Sequence, residues 1–210
     1  MVITELRKRR GRLYLLVIDG EPSVTVDINT FEESPYQVGS SLSDEQLEEL
    51  LLSSKKRRAR EKALYLLSLR DHSKTELKNK LGRDVDEETA YETAGRMEEL
   101  GLINDRSFAV RRARDMTDRK LYPKRRVYQE LCALGIEHAM AREITGGLEC
   151  DDVRQALALL DKKYYNRKSC EDDIRKTAAA LARYGFDGDT VRRAMKAWKS
   201  EEQDFDIDDL

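Results

Sequence analysis

The residues of this 210-residue chain that could do chemistry fall into three sets: paired acids, histidines with cysteines, and runs of arginine and lysine. Glu32-Glu33, Glu87-Glu88 and Glu98-Glu99 offer carboxylates for general acid/base work, but in a chain that is 38% charged such pairs read as solvated helix faces. His72 and His138 sit in helix-edge contexts, neither close to a cysteine nor part of an HExxH pattern, and read as surface histidines. Cys132, Cys150 and Cys170 are odd in number and lack CxxC or Cys/His ligand spacing. They support neither a disulfide framework nor a zinc site and read as reduced, ordinary residues. Phosphate-cradling GxxxxGK[ST] and GxGxxG loops are missing from the sequence. The expectation is a protein with no catalytic residue, no cofactor and no metal: not an enzyme.

The basic residues carry more information, because charge is unevenly distributed along the chain. The net charge of −2 is a small difference between 39 bases and 41 acids. Between Arg106 and Arg126 nine bases stand against two acids, a local +7. Arg111, Arg112, Arg114, Arg119, Lys120, Lys124, Arg125 and Arg126 are the candidate contacts there. A second block, 55–62, reaches +5 and adds Lys55, Lys56, Arg57 and Arg58. Residues 84–105 carry −7 and the tail 200–210 carries −6. On helix periodicity Arg111 and Arg114 fall opposite Phe108 and Met116, so the bases can share a surface that attracts phosphate backbones or an acidic protein groove. Arginine favours such bidentate contacts. The plainer reading is solvated faces whose charges pair at i+4. The acidic tail reads as a disordered solubilising segment; a sharper reading has it compete with an acidic ligand for the basic surface.

Positioning these residues is the task of a mostly helical chain. Leu, Ala, Glu, Arg and Lys dominate, with 3 Pro and 7% aromatics, which implies helices around a thin core. No run approaches the roughly 18 apolar residues of a membrane span, and the charged start lacks a secretory apolar segment, so a cytoplasmic protein with no membrane contact is expected. The first forty residues differ. Leu13 to Ile18, the Asp19-Gly20 turn and the alternating Val24 to Ile28 form a β-hairpin, to which Val2 to Arg9 can add a strand through a turn at Gly11.

Helix signals follow. Ser43 with Gln46 and Ser73 with Glu76 are capping-box patterns. Ala63, Leu64, Leu67 and Leu69 form one apolar stripe, and Ala90, Ala94, Met97 and Leu100 another. Asn104 or Asp105 caps the next helix, with Phe108, Ala109, Ala113 and Met116 on one face. Pro123 sits at the first helical position before Val127, Leu131 and Leu134. The segment Leu131 to Ile136 recurs as Leu181 to Phe186, each a leucine, three residues, glycine and a large apolar residue, with a weaker echo at Leu100-Gly101-Leu102. The glycine ends a helix and the apolar residue packs back. The organisation expected is a β-hairpin extension over 1–40, a linking helix over 41–62, three-helix repeats over 63–103, 104–149 and 150–199, and a disordered acidic tail over 200–210. About nine short helices would stack into an elongated, curved body.

Ala63 to Leu77, with its Leu66-Leu67-Ser68-Leu69-Arg70-Asp71-His72-Ser73-Lys74-Thr75-Glu76 core, then Leu100 to Asp105 with Phe108-Ala109, and later Glu130-Leu131 with Leu134-Gly135-Ile136, resemble the successive signatures of the RecX regulatory proteins. The match spans about residues 60–199, and Tyr122-Pro123 departs from the small residue often found before the second helix of the middle repeat. The resemblance implies tandem three-helix repeats, no catalysis, and regulation of the RecA recombinase by binding RecA and its DNA filament, which suppresses ATPase, strand exchange and coprotease activity in DNA repair and recombination. A monomer is expected, with single- or double-stranded DNA as a further partner and the hairpin adding a separate contact. The alternatives are a sequence-nonspecific DNA-binding helical protein without a recombinase partner, and a purely structural scaffold.

Overall fold

The computed structural model describes residues 1–164 and 171–200. Cys170 and the acidic segment 201–210 lie outside the described residues. The chain is mainly helical with a small N-terminal antiparallel sheet, and it divides into two compact units, Met1–Asn104 and Asp105–Leu210.

In the first unit, β1 (Ile3–Lys8), β2 (Leu13–Ile18) and β3 (Glu21–Asp27) pair in the order β1-β2-β3. Asp19 and Gly20 both take positive φ, 51° and 86°, the two-residue turn that matches strand twist and tolerates few residues other than Asp, Asn and Gly. The expected strand through Ile28 stops one residue earlier. Asp27 instead accepts hydrogen bonds from Asn29 N and Thr30 N at 3.1 and 3.3 Å and so caps a short helix, α1 (Ile28–Glu33), which sequence reading missed.

Helix α2 (Asp44–Leu69) runs unbroken for 26 residues, so the boundary expected between 62 and 63 falls inside it. It opens on the Ser43–Gln46 capping box. Its Leu50 joins the core under the sheet, with Ile3, Leu16, Val26, Phe31 and Leu42; its Ala63 joins a second core with residues of α3 (Lys74–Leu81) and α4 (Glu87–Glu99), among them Leu77, Leu81, Ala94 and Met97. Ala63 and Leu67 pack on the core as expected, whereas Leu64, Leu69 and Leu100 are exposed and Leu66 joins the core in their place. Ser54 Oγ, buried in the middle of α2, accepts the Asp27 N–H at 2.8 Å and so ties helix to sheet.

The second unit holds two further three-helix cores. Phe108, Ala113 and Met116 of α5 (Asp105–Asp118), Val127 and Leu131 of α6 (Lys124–Ala133), and Ala141 and Ile144 of α7 (His138–Gly146) form one. The other is built from α8 (Asp152–Tyr164), α9 (Glu171–Tyr184) and α10 (Gly188–Ser200), with Leu160, Leu181, Phe186 and the fully buried Trp198 at its centre. Pro123 stands just before α6 with extended ψ of 154° rather than at its first turn; its carbonyl accepts the N–H of Arg126 and Val127.

The repeated glycine motif has one geometry three times. Gly101, Gly135 and Gly185 take φ of 71°, 81° and 112°. In each case the glycine N–H and the next N–H donate to the last helical carbonyls: Gly135 to Cys132 and Ile136 to Leu131, for instance, at 2.9 and 3.1 Å. This is the Schellman helix end. Ile136 and Phe186 are buried as expected, whereas Leu102 is exposed and Ile103 fills the equivalent place.

Candidate interaction site

The basic candidates divide into those the fold consumes and those it leaves open. Block 55–62 is mostly consumed. Lys55 lies 3.7 Å from Asp86 and Lys56 2.8 Å from Glu92, joining α2 to the start and middle of α4. Lys62 pairs with Asp84. Arg57 reaches Glu33 at 2.6 Å, Glu61 at 3.6 Å and the buried Asp27 at 3.7 Å. Arg58 alone of the four candidates makes no ion pair among the described residues; it borders a cavity of about 480 Å³ with Arg12, Leu13, Lys62 and Leu81. The acidic stretch 84–105 and this basic block are therefore not separate regions of charge. They are distant in sequence and neutralise one another in the folded unit.

His72 corrects the surface reading. It is buried, 3% exposed, with Nδ1 3.0 Å from Glu76 Oε2. The ring precedes Ser73, whose hydroxyl accepts the Glu76 N–H at 3.0 Å and starts α3. Burial alone would raise the Glu76 carboxyl, but the Arg70 guanidinium, forked across both oxygens, and the His72 ring outweigh it and lower it to about 2. Glu76 thus engages these two cation-capable groups. His138 is exposed as expected, but it does lie beside a cysteine, because the turn from α6 into α7 folds it back: its Nδ1 is 3.0 Å from the Tyr128 hydroxyl and 3.3 Å from Cys132 Sγ. Cys132 and Cys150 are free thiols, and burial pushes that of Cys150 up.

Around the +7 segment the outcome is mixed. Arg112 and Arg119 both approach Asp115, at 3.6 and 3.2 Å. Arg106 forks onto Glu143 and joins α5 to α7. Lys120 and Arg126 serve a joint between the two three-helix cores of this unit. The Arg126 guanidinium sits 4.0 Å from the Tyr122 ring centre and 5.0 Å from that of Tyr184, and its Nη1 donates to the Tyr184 carbonyl at 2.9 Å. The two tyrosine rings meet edge to face at 5.2 Å, and the Tyr184 hydroxyl donates to the Lys120 carbonyl at 2.7 Å. Lys120 and Lys163 each lie over one of these rings. Tyr122, the departure from the resemblance, is therefore an internal anchor.

Lys124 and Arg125, on the first turn of α6, remain open. Their side chains and Arg142 of α7 line a notch of about 380 Å³ with Tyr128, Thr145 and Gly146. No acid lines it, and none of the three cations has an ion-pair partner among the described residues. The Lys124 N–H donates to Asp152 Oδ1 at 3.2 Å, which fixes the start of α6 against that of α8; burial raises the Asp152 carboxyl, and that hydrogen bond together with the charge of the Lys124 ammonium partly offsets the rise. On α5, Arg111 and Arg114 are exposed, and Arg114 has no ion-pair partner among the described residues. Three like charges around a concavity repel unless an anion enters, and two guanidiniums and an ammonium suit phosphate or carboxylate oxygens. Arg142, beside Glu143 in sequence, carries no local signal of this role; only the packing of α7 on α6 brings it to Lys124 and Arg125.

The family description "RecX, first three-helix domain" matches residues 59–97 and "RecX, third three-helix domain" matches 149–195. The Regulatory protein RecX of Stenotrophomonas maltophilia (strain K279a) is 33% identical over 153 residues, covering 69% of this chain and 92% of the relative. That of Clostridioides difficile (strain 630) is 28% identical, covering 92% of this chain and 94% of the relative. Among solved structures, one described as the crystal structure of regulatory protein RecX superposes with a TM-score of 0.60 at 19% identity, covering 93% of this chain and 98% of that one. RecX from Lactobacillus salivarius gives 0.55 at 23% identity, over 69% and 96%. At those identities the structures speak for the fold.

Proposed function

The chain belongs to the RecX family of regulatory proteins, and we propose that it acts without catalysis, binding the RecA recombinase and its DNA filament and inhibiting recombinase, ATPase and coprotease activity. In this reading residues 63–103, 104–149 and 150–199 are tandem repeats, 41–62 links them to the N-terminal extension, and the protein works as a cytoplasmic monomer. Among the described residues no helix is long and apolar enough to cross a membrane.

The observation that carries the reading is the acid-free notch formed by Lys124, Arg125 and Arg142, with Arg114 exposed on α5. None of these cations is held in an ion pair among the described residues, so they are available to acidic groups of a filament or to its DNA backbone. Inhibition requires only differential binding: a ligand that favours one filament state shifts assembly or nucleotide turnover by the difference in affinity, and tenfold corresponds to about 1.4 kcal/mol.

The test is single-stranded-DNA-dependent RecA ATPase with added protein. Charge reversal at Arg114, Lys124, Arg125 and Arg142 should raise the concentration needed for inhibition about tenfold or more with the fold retained, because complementary charge is turned into repulsion. A quadruple variant that inhibits RecA normally sinks the assignment of this face. The same unpaired cations also favour a second reading, direct sequence-nonspecific DNA binding. A steep salt dependence on DNA alone with no effect on RecA ATPase selects it.

A further inference from the structure

The β1–β2 turn carries a charge cluster that neither the α5–α7 face nor the family's three-helix domains account for. From Leu6 to Leu13 the sequence reads Leu-Arg-Lys-Arg-Arg-Gly-Arg-Leu, five bases and no acid. The fold sorts these five. Arg7 is held by Glu5 at 2.6 Å, and Arg12 by Glu61 with the buried Asp27 at 3.9 Å. Lys8, Arg9 and Arg10 are exposed and have no ion-pair or ring partner among the described residues. The acids that could neutralise them locally, Glu5, Asp27 and Glu61, are already engaged.

The turn is also built to hold its shape. Arg9 N donates to the Leu13 carbonyl at 2.8 Å and Leu13 N to the Arg10 carbonyl at 3.1 Å. Gly11 supplies the required positive φ of 61°, and Ile28 N, at the start of α1, donates to the Arg12 carbonyl at 2.9 Å. Three cations are thus presented on a braced hairpin end whose backbone has little ordering left to lose on binding. Asp19, in the β2–β3 turn, and Glu21, the first residue of β3, lie at the other end of the sheet, so the sheet is polarised end to end.

We propose that the β1–β2 turn is a nucleic-acid contact, in which Lys8, Arg9 and Arg10 bind backbone phosphates without reading bases. Charge complementarity names the partner class, and the makeup of the tip selects within it. Protein interfaces draw most of their affinity from Trp, Tyr and Arg side chains packed into desolvated pockets, and the exposed side chains of this turn are all cationic, with no exposed aromatic or apolar side chain beside them to seal such a pocket. Phosphate contacts need only cations and no register, since backbone contacts position without specifying. The contact requires no recombinase, so it stands or fails separately from the function proposed above.

The test is fluorescence anisotropy of the full chain with a labelled oligonucleotide, single-stranded and duplex, from 50 to 200 mM salt and without RecA. The variant Lys8→Gln, Arg9→Gln, Arg10→Gln should weaken binding about tenfold or more and flatten the slope of log affinity against log salt by about 2 to 3, as expected for three lost phosphate contacts. Arg9→Lys with Arg10→Lys, which keeps the charge, should retain most of the affinity. Because none of the three side chains is buried or paired, the circular dichroism and thermal midpoint should stay as in the parent. Unchanged affinity and slope in the triple variant overturn the proposal. So does a variant that keeps oligonucleotide binding but loses affinity for a RecA filament, which would assign the tip to an acidic protein surface.

Discussion

At the residue scale, the side chain most changed by its surroundings is Glu76. Its carboxyl is lowered from the ordinary 4.5 to about 2, with burial opposing the shift and Arg70 and His72 producing it. A carboxyl depressed in the folded state stabilises the protein fully above its unfolded value and loses that contribution as pH falls toward the folded value. Stability should therefore decline between about pH 4.5 and 2 through this group. In Glu76→Gln that component of the decline should be missing, read as a smaller drop in urea midpoint over the same interval. An unchanged acid profile would mean that the Arg70–Glu76–His72 cluster contributes nothing. The sequence shows part of this cluster: Ser73 with Glu76 three residues on is a capping pattern, and the Ser73 hydroxyl does accept the Glu76 N–H. It does not show the ring of His72 beneath it, because burial depends on what packs over a residue.

At the element scale, three helices end on the same glycine geometry, yet the three sites are not equivalent. Gly101 has open space where a Cβ would stand, whereas at Gly185 a Cβ would come 3.0 Å from Arg126 Cβ and 3.4 Å from Pro123 Cγ. Both glycines have positive φ, so either substitution by alanine meets a backbone penalty of about 1 kcal/mol. Gly185→Ala must also displace Arg126, which is pinned between Tyr122 and Tyr184 and bonded to the Tyr184 carbonyl. Gly101→Ala should thus cost about 1 kcal/mol and Gly185→Ala about 2 or more, compared by urea unfolding. Equal losses would show that the Arg126 joint yields freely. The repeat of Leu131–Ile136 in Leu181–Phe186 predicted where the helices stop. It could not predict that the second glycine also lets α6 approach α9.

For the whole molecule, each compact unit contains two apolar cores of its own, one pair under the sheet and between α2, α3 and α4, the other among α5 to α10. A segment with its own core folds as a unit. Fragments 1–104 and 105–210 should each show helical circular dichroism and a cooperative thermal transition; a fragment that stays unfolded would show that its cores need the other half. The −2 net charge takes on a different meaning at this scale. Much of the apparent segregation along the chain is cancelled within the first unit by Lys55–Asp86, Lys56–Glu92 and Lys62–Asp84. Among the described residues, the cations without an ion pair that cluster together include those of the β1–β2 turn and of the α6–α7 notch.

By itself the sequence determined the elements: the hairpin at Asp19-Gly20, the capping box at Ser43, the glycine helix ends, the mainly helical class and the family resemblance. These are local signals, in which backbone conformation, periodicity and a residue's near neighbours suffice. Tertiary structure decided which charges remain available. Arg57 meets Glu33 from 24 residues away, Arg106 meets Glu143 from 37, and Arg126 meets Tyr184 from 58. Counting charge along the chain treats every arginine alike. Coulomb attraction acts through space, so only folding separates those that hold the protein together from those left to bind a partner.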